Sequence, residues 1–306
     1  MRILITGAAG NLGSFLSRHL SGSPHQLRLM IHRRLFTGVP DNAEIVRADL
    51  GDPATLAGVC DGVDCIVHFA GILFAPQPEK FLPTTNVRYV KNLISAALAA
   101  GVKKFVLISF PHVEGETTPE RHATDRMDGT PDSVHARTRL EAERCVLARM
   151  PEPVILRVGM IYGHGVLMID AARWLAERRL LAVWRQPTWI HLLSLPDFLE
   201  ATTAAIENPT ARGIYNLGDD HPMTLQEFLD AACAHWGCRS PWRAPRWMFP
   251  CAGAACEAFA TLCRMRAPLT RDFIRIGVAS YAMDTTRMKK ELLPRLKYPS
   301  LQTEIL

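Results

Sequence analysis

The chain has 306 residues, 48% of them hydrophobic and 21% charged, with 35 basic side chains against 30 acidic ones. That composition excludes a disordered chain and leaves enough apolar surface for a large core, in two domains or one large one. The net charge of +5 is small and reads as dispersed. It argues against a nucleic-acid partner, although a weakly positive field suits a phosphate-bearing ligand.

The first half alternates strand and helix signals. Arg2 to Thr6 is a β-forming run ending at glycine, and Leu12 to Leu20 follows as a helix with Leu12, Phe15, Leu16 and Leu20 on one face. Leu27 to Ile31 and Glu44 to Val46 read as strands. Pro53 to Cys60 reads as a helix opened by Asp52. Cys65 to Phe69 is a buried strand, Asn86 to Ala100 a long helix closed by Gly101, and Lys104 to Ser109 a strand. Thr138 to Met150 reads as a helix and Val154 to Val158 as a strand. Continuous apolar strands between helices predict an α/β fold with a doubly wound parallel sheet of Rossmann type. The expected division is a dinucleotide-binding domain over 1–160 and a smaller, interleaved substrate-binding region over 161–306, with about 186–208 returning to the first domain.

The later chain is less regular, with its six tryptophans expected in the core. The apolar run from Met248 to Cys263 is shorter than the ~20 residues that span a bilayer, and Glu257 interrupts it. A buried helix is expected there, with a membrane-surface helix as the alternative. Eight cysteines contain no CxxC pair. They read as small buried hydrophobes in a reducing compartment, and Cys233, His235 and Cys238 match no common zinc spacing, so no metal is expected. Met1 leads straight into the first strand, without a secretion signal, so a cytoplasmic protein is expected.

The stretch Thr6-Gly7-Ala8-Ala9-Gly10-Asn11-Leu12-Gly13 joins the first strand to the first helix. Gly7 permits a tight turn, Gly10 lets backbone approach a pyrophosphate, and Gly13 lets the helix pack closely on the sheet. The helix N-terminus then offers free N–H groups to phosphates. After the second strand stand His32, Arg33 and Arg34, with no acid to bind a ribose 2′-hydroxyl. Guanidinium groups there favour a 2′-phosphate, hence NADP(H), with NAD(H) left open.

The spacing GxxGxxG comes with Asp49-Leu50 after the third strand, His68-Phe69-Ala70-Gly71 after the fourth, Asn86-Val87 at the start of the long helix, and Leu156 to Gly163. Ile190-His191, Asp197-Phe198-Leu199 and Gly213 to Gly218 complete the set. This series resembles the extended short-chain dehydrogenase/reductase superfamily, in its NAD(P)-dependent epimerase/dehydratase group. The resemblance implies that Gly7, Ala9, Gly10, Asn11, Leu12 and Gly13 wrap the pyrophosphate and that Asp49 and Leu50 flank the adenine. It further implies that Phe69, Ala70 and Gly71 line the dinucleotide, that Asn86 steadies the fourth-strand loop, and that Val158 and Met160 lie by the nicotinamide.

The chain departs from that family where its chemistry resides. Aligning Ser133 to Glu143 with the family's tyrosine–lysine motif puts His135 in the tyrosine position and Arg139 in the lysine position, one helical turn apart. Phe110 stands where a serine or threonine is usual, with Ser109 one position earlier. Histidine can still act as acid or base, and Arg139 can keep the ribose contact while exchanging no proton. His112 and Glu114 follow the fifth strand, where open α/β sheets bind ligands, and are further acid/base candidates. The resulting expectation is an oxidoreductase or epimerase acting on a small, rather apolar carbonyl or alcohol. The alternatives are a non-redox isomerase or dehydratase, or an NADP(H)-binding sensor that performs no hydride transfer. Relatives also suggest a homodimer through helices 86–100 and 138–150.

Overall fold

The computed structural model describes residues 1–71, 77–263, 267 and 269–306. Seven strands form the central sheet: β1 (Arg2–Thr6), β2 (Gln26–Ile31), β3 (Ala43–Arg47), β4 (Cys65–His68), β5 (Lys104–Ser109), β6 (Glu152–Val158) and β7 (Gly213–Leu217). Their order is β7-β6-β5-β4-β1-β2-β3, and every neighbouring pair is parallel. The order reverses at β1, which pairs with β2 through Thr6 and Met30 and with β4 through Thr6 and His68. A crevice opens at such a reversal because the connections leave in opposite directions.

Alternation along β1 shows why the middle of a central strand is apolar on both faces. Ile3 and Ile5 enter one core cluster, with Leu16 of α1 (Asn11–His19) and Phe198 of a later helix, Leu195–Glu207. Leu4 enters the other, with Leu93 and Ile94 of α2 (Tyr89–Ala99) and Ala142 and Val146 of α3 (Val134–Arg149). Both faces are therefore covered along Ile3 to Ile5, and the polar residues of β1 stand at its ends, Arg2 exposed and Thr6 bonded to His68 Nδ1 at 2.8 Å.

Several boundaries differ from the sequence reading. Only one 3₁₀ turn, Pro53–Leu56, forms where a helix to Cys60 was expected. Asn86 does not open its helix: Pro78–Leu82 and a π-helical stretch, Pro83–Arg88, run into α2. α3 starts at Val134, not Thr138, because the Ser133 hydroxyl accepts from Ala136 N at 3.0 Å and caps it. The apolar run does form a helix, α4 (Met248–Leu262), but it is not buried. Gly253, Glu257 and Ala260 are its buried residues, Gly253 against Ile274 and Arg271 of α5 (Arg271–Val278), and Phe249 meets Trp184 edge-on at 5.3 Å, whereas Phe259 and Leu262 on the outer side are exposed among the described residues. Nor are the tryptophans mainly core, since Trp174, Trp242 and Trp247 are exposed. Cys251 and Cys263 are exposed as well, so the cysteines are not uniformly buried.

Candidate functional site

The loop after β1 is built on glycines. Gly7 has φ +69°, and a Cβ there would lie 2.8 Å from Ala70 N. Gly10 N donates to Gly7 O at 2.8 Å, and a Cβ on Gly13 would lie 2.4 Å from that same oxygen. Any side chain at Gly7 or Gly13 would push the loop off α1 or off the β4 loop. α1 has no side-chain N-cap and no acid in its first turn. Its positive end is thus free to meet an anion.

A cleft of about 490 Å³ lies at the carboxyl ends of β1, β2, β3 and β4. Gly7, Ala9, Gly10, His32, Arg33, Arg34, Asp49, Leu50, Phe69, Ala70 and Gly71 line it. Asn11, Leu12, Gly13, Asn86, Arg139, Val158 and Met160 are not in its lining. Asn11 instead fastens the 165–167 loop, donating to Gly165 O at 2.9 Å and accepting from Leu167 N at 3.0 Å. Asn86 donates to Thr138 Oγ1 at 3.0 Å and so ties its π-helical stretch to α3. Asp49 accepts from Gly51 N at 2.8 Å and faces His32 Nε2 at 3.5 Å.

His135 and Arg139 sit on the inner side of α3. Asp272 fixes the start of that helix from α5, accepting from Val134 N at 2.7 Å and His135 N at 3.1 Å. The His135 ring lies 5.1 Å from the Phe110 ring. Burial, then the Arg139 charge and His112, drive its pKa down to about 3, so the imidazole is neutral near pH 7. Arg139 is 6% exposed, and its Nε and Nη1 find no partner among the described residues. Its Nη2 lies 3.4 Å from where a Gly71 Cβ would stand, at the edge of the cleft. Burial, opposed by Glu143, lowers its pKa to about 10. A buried guanidinium short of hydrogen-bond acceptors costs about 3 kcal/mol or more unless a ligand supplies them.

Ser109 and Glu114 are engaged elsewhere. Ser109 Oγ donates to Glu143 Oε1 at 2.5 Å, and Arg157 Nη1 donates to Glu114 Oε1 at 2.5 Å. Arg157 Nη2 also donates to Glu143 Oε2 at 2.7 Å, which makes the four residues one buried network under the sheet's end. The His112 ring meets that of Tyr281 at 4.5 Å, tilted by 58°, with Phe110 at 5.6 Å. A second cavity of about 490 Å³ is walled by His112, Ser133 and Ala136 and by Arg246, Arg275 and Ile276 from the carboxy-terminal region. Sequence reasoning missed Tyr281 and Asp272. Neither belongs to a motif, and each comes from more than a hundred residues away. Among the described residues no group of three or more His, Cys, Asp or Glu is arranged to hold a metal.

Four buried histidines make a testable pH signature. Burial lowers His68 and His135 to about 3 and His112 and His191 to about 4, from 6.5. The unfolded chain therefore binds more protons at these sites between pH 6.5 and 4. Their contribution to stability is full above pH 6.5 and is lost as pH falls, at about 1 kcal/mol per pH unit for each. Asp219, raised by burial to about 8, works in the opposite sense. The clean reading is a difference: His112→Phe should flatten the fall in the urea midpoint between pH 6.5 and 4.5 by about one proton's worth. Identical slopes for the variant and the parent would refute the assignment.

Comparison with known proteins extends this geometry. Residues 3–218 match the NAD dependent epimerase/dehydratase family. The chain belongs to that family. It is 30% identical over 142 residues to a uronate dehydrogenase of Pseudomonas putida, an alignment covering 46% of this chain and 53% of the relative. It thus spans about half the length of that enzyme. A 2-alkyl-3-oxoalkanoate reductase of Stenotrophomonas maltophilia is 29% identical over 295 residues, covering 89% of this chain and 87% of the relative. Among solved structures, MoeE5 in complex with UDP-glucose and NAD superposes with a TM-score of 0.76 at 19% identity, covering 100% of this chain and 96% of that one. That likeness shows the shared Rossmann-type α/β fold over the whole chain. No helix among the described residues is long and apolar enough to cross a membrane.

Proposed function

We propose that this family member is an NADP(H)-preferring oxidoreductase or epimerase acting on a small, rather apolar carbonyl or alcohol, with His135 in the place of the usual tyrosine. The carrying observation is the buried Arg139 guanidinium, short of acceptors and 3.4 Å from the Gly71 position at the cleft edge. The hydroxyls of a nicotinamide ribose would complete it. Gly7, Gly10 and the open end of α1 would hold the diphosphate, and Arg33 and Arg34 the 2′-phosphate. The bound nicotinamide supplies or takes up the hydride. His135, neutral in the free protein, would donate a hydrogen bond from its N–H to the substrate oxygen and so stabilise the negative charge that hydride transfer develops there, the proton that completes the alcohol coming from water. Ser109 and Glu114 act in this reading as supports of the sheet end, while His112 borders the second cavity, where the substrate would enter. The alkyl-bearing oxoacid named for the Stenotrophomonas relative supports an apolar carbonyl compound.

The test is a fluorescence titration with NADPH and NADH, followed by turnover on ketones and 3-oxoacids of increasing chain length. Arg33→Ala with Arg34→Ala should weaken NADPH about ten- to a hundredfold, the worth of one or two charge-assisted hydrogen bonds, and leave NADH unchanged. Equal loss for both nucleotides would remove the 2′-phosphate assignment.

A sensor without turnover is the second reading. It is favoured by the depressed His135 pKa and by an arginine that exchanges no proton. It predicts nucleotide binding with no turnover on any substrate. We further propose that the protein is cytoplasmic, with residues 1–160 as its nucleotide-binding part and 161–306 as its substrate part. A homodimer would form through the outer faces of α2 and α3, where Lys91 and Glu141 pair at 3.2 Å. Sedimentation equilibrium tests it.

A further inference from the structure

The outer side of α4 reverses the usual polarity of a surface helix. Cys251, Ala255, Ala258, Phe259 and Leu262 are exposed at helical spacing, Phe259 by 61% and Leu262 by 83%. The helix's single charge, Glu257, points inward and accepts from Arg271 N and Nε, each at 2.8 Å. A soluble surface helix does the opposite, with its apolar stripe inward and its charges in water. Just before it, Trp242 and Trp247 are 60% and 68% exposed. Indole, with an apolar body and one N–H donor, is suited to a lipid–water boundary.

Charge gives the second signal. Residues 239–275 contain seven arginines and two acids, a net +5 equal to that of the entire chain. Along the sequence the basic excess is therefore not dispersed but concentrated in the segment that contains this helix, with Arg243 paired to Asp230 at 2.5 Å. Both acids are committed, Glu257 to Arg271 and Asp272 to the start of α3, whereas Arg239, Arg246 and Arg275 are exposed. We propose that α4, with Trp242 and Trp247, docks on the surface of an anionic lipid bilayer. An apolar face and a basic flank together meet the two-signal requirement for stable peripheral binding. A second copy of this chain fits less well, because a two-fold contact would set these arginines against their own counterparts.

The test is co-sedimentation of the full chain with vesicles of mixed phosphatidylglycerol and phosphatidylcholine, and with phosphatidylcholine alone. Binding to the anionic vesicles is expected, weakening steeply as salt shortens the Debye length below about 10 Å. Phe259→Glu with Leu262→Glu should weaken it at least about tenfold. Arg239→Gln with Arg246→Gln should reduce both the binding and its salt dependence. As a measurement free of any variant, bromine-labelled lipid should quench the parent's tryptophan emission. Absence of quenching, equal binding of the glutamate variant, or a dimer that the glutamates dissociate would each overturn the proposal. Vesicle binding is read without turnover, so the proposal stands or falls apart from the proposed activity.

Discussion

Arg157→Ala is expected to destabilise the protein by about 3–5 kcal/mol, enough to leave it partly unfolded at ambient temperature. Arg157 is fully buried on β6 and holds Glu114 at 2.5 Å, Glu143 at 2.7 Å and the Arg126 carbonyl at 2.9 Å. Its removal leaves two carboxylates, 5% and 0% exposed, without their counter-ion. What remains to them by side chain or amide is neutral donors, Ser109 Oγ on Glu143 and Thr124 N on Glu114, with only the more distant charges of Arg139 and Arg126 nearby. Burial already raises the Glu114 pKa, with Thr124 N and the Arg157 charge opposing. Without Arg157 it rises further, so the native state of the variant holds its proton to higher pH than the unfolded chain does. The deficit should accordingly shrink as pH falls toward 5. Adding Glu143→Gln should recover part of the loss, because one buried charge is then gone, and the two substitutions will be non-additive. Urea unfolding of parent, single and double variants at pH 7.5 and 5.5 measures this. A loss below about 1 kcal/mol would mean that water reaches the network.

The same network explains what the sequence could and could not reveal. Its central sheet was legible because a strand covered on both faces is mostly apolar at successive positions, as at Ile3, Leu4 and Ile5. The phosphate loop was legible because backbone contacts as close as those at Gly7 and Gly13 admit no side chain. Side-chain partnership leaves no such trace. Ser109 and Glu114 lie at a strand end, where ligands bind, yet their partners are Glu143 and Arg157, 34 and 43 residues away. The start of α3 was misread for a related reason, since Asp272 completes it from 138 residues on. Composition also says that Met248 to Leu262 is apolar without saying whether protein covers it. Only packing decides that, and here Phe259 and Leu262 on one side are exposed among the described residues.

His135→Phe should retain nucleotide affinity while lowering kcat/KM by about 10²–10³, the usual worth of one hydrogen-bond donor aimed at the developing negative charge. Phenylalanine fits beside Phe110, whose ring lies 5.1 Å away, so a folding defect is not expected. With the imidazole titrating at about 3, the parent's rate should show no inflection near pH 6.5, whereas a histidine in free equilibrium with water would give one. His135→Tyr with Arg139→Lys rebuilds the family's pair and should bring in an alkaline limb as the phenol titrates. Arg139→Met separates binding from folding. It removes a buried cation lacking acceptors, so the free protein should melt higher, while NADPH binds at least about tenfold more weakly for want of that donor. The two readings of the protein then part company. An enzyme loses turnover in His135→Phe at constant nucleotide affinity. A sensor shows no turnover in any of these forms, and only Arg139→Met alters its response to the nucleotide.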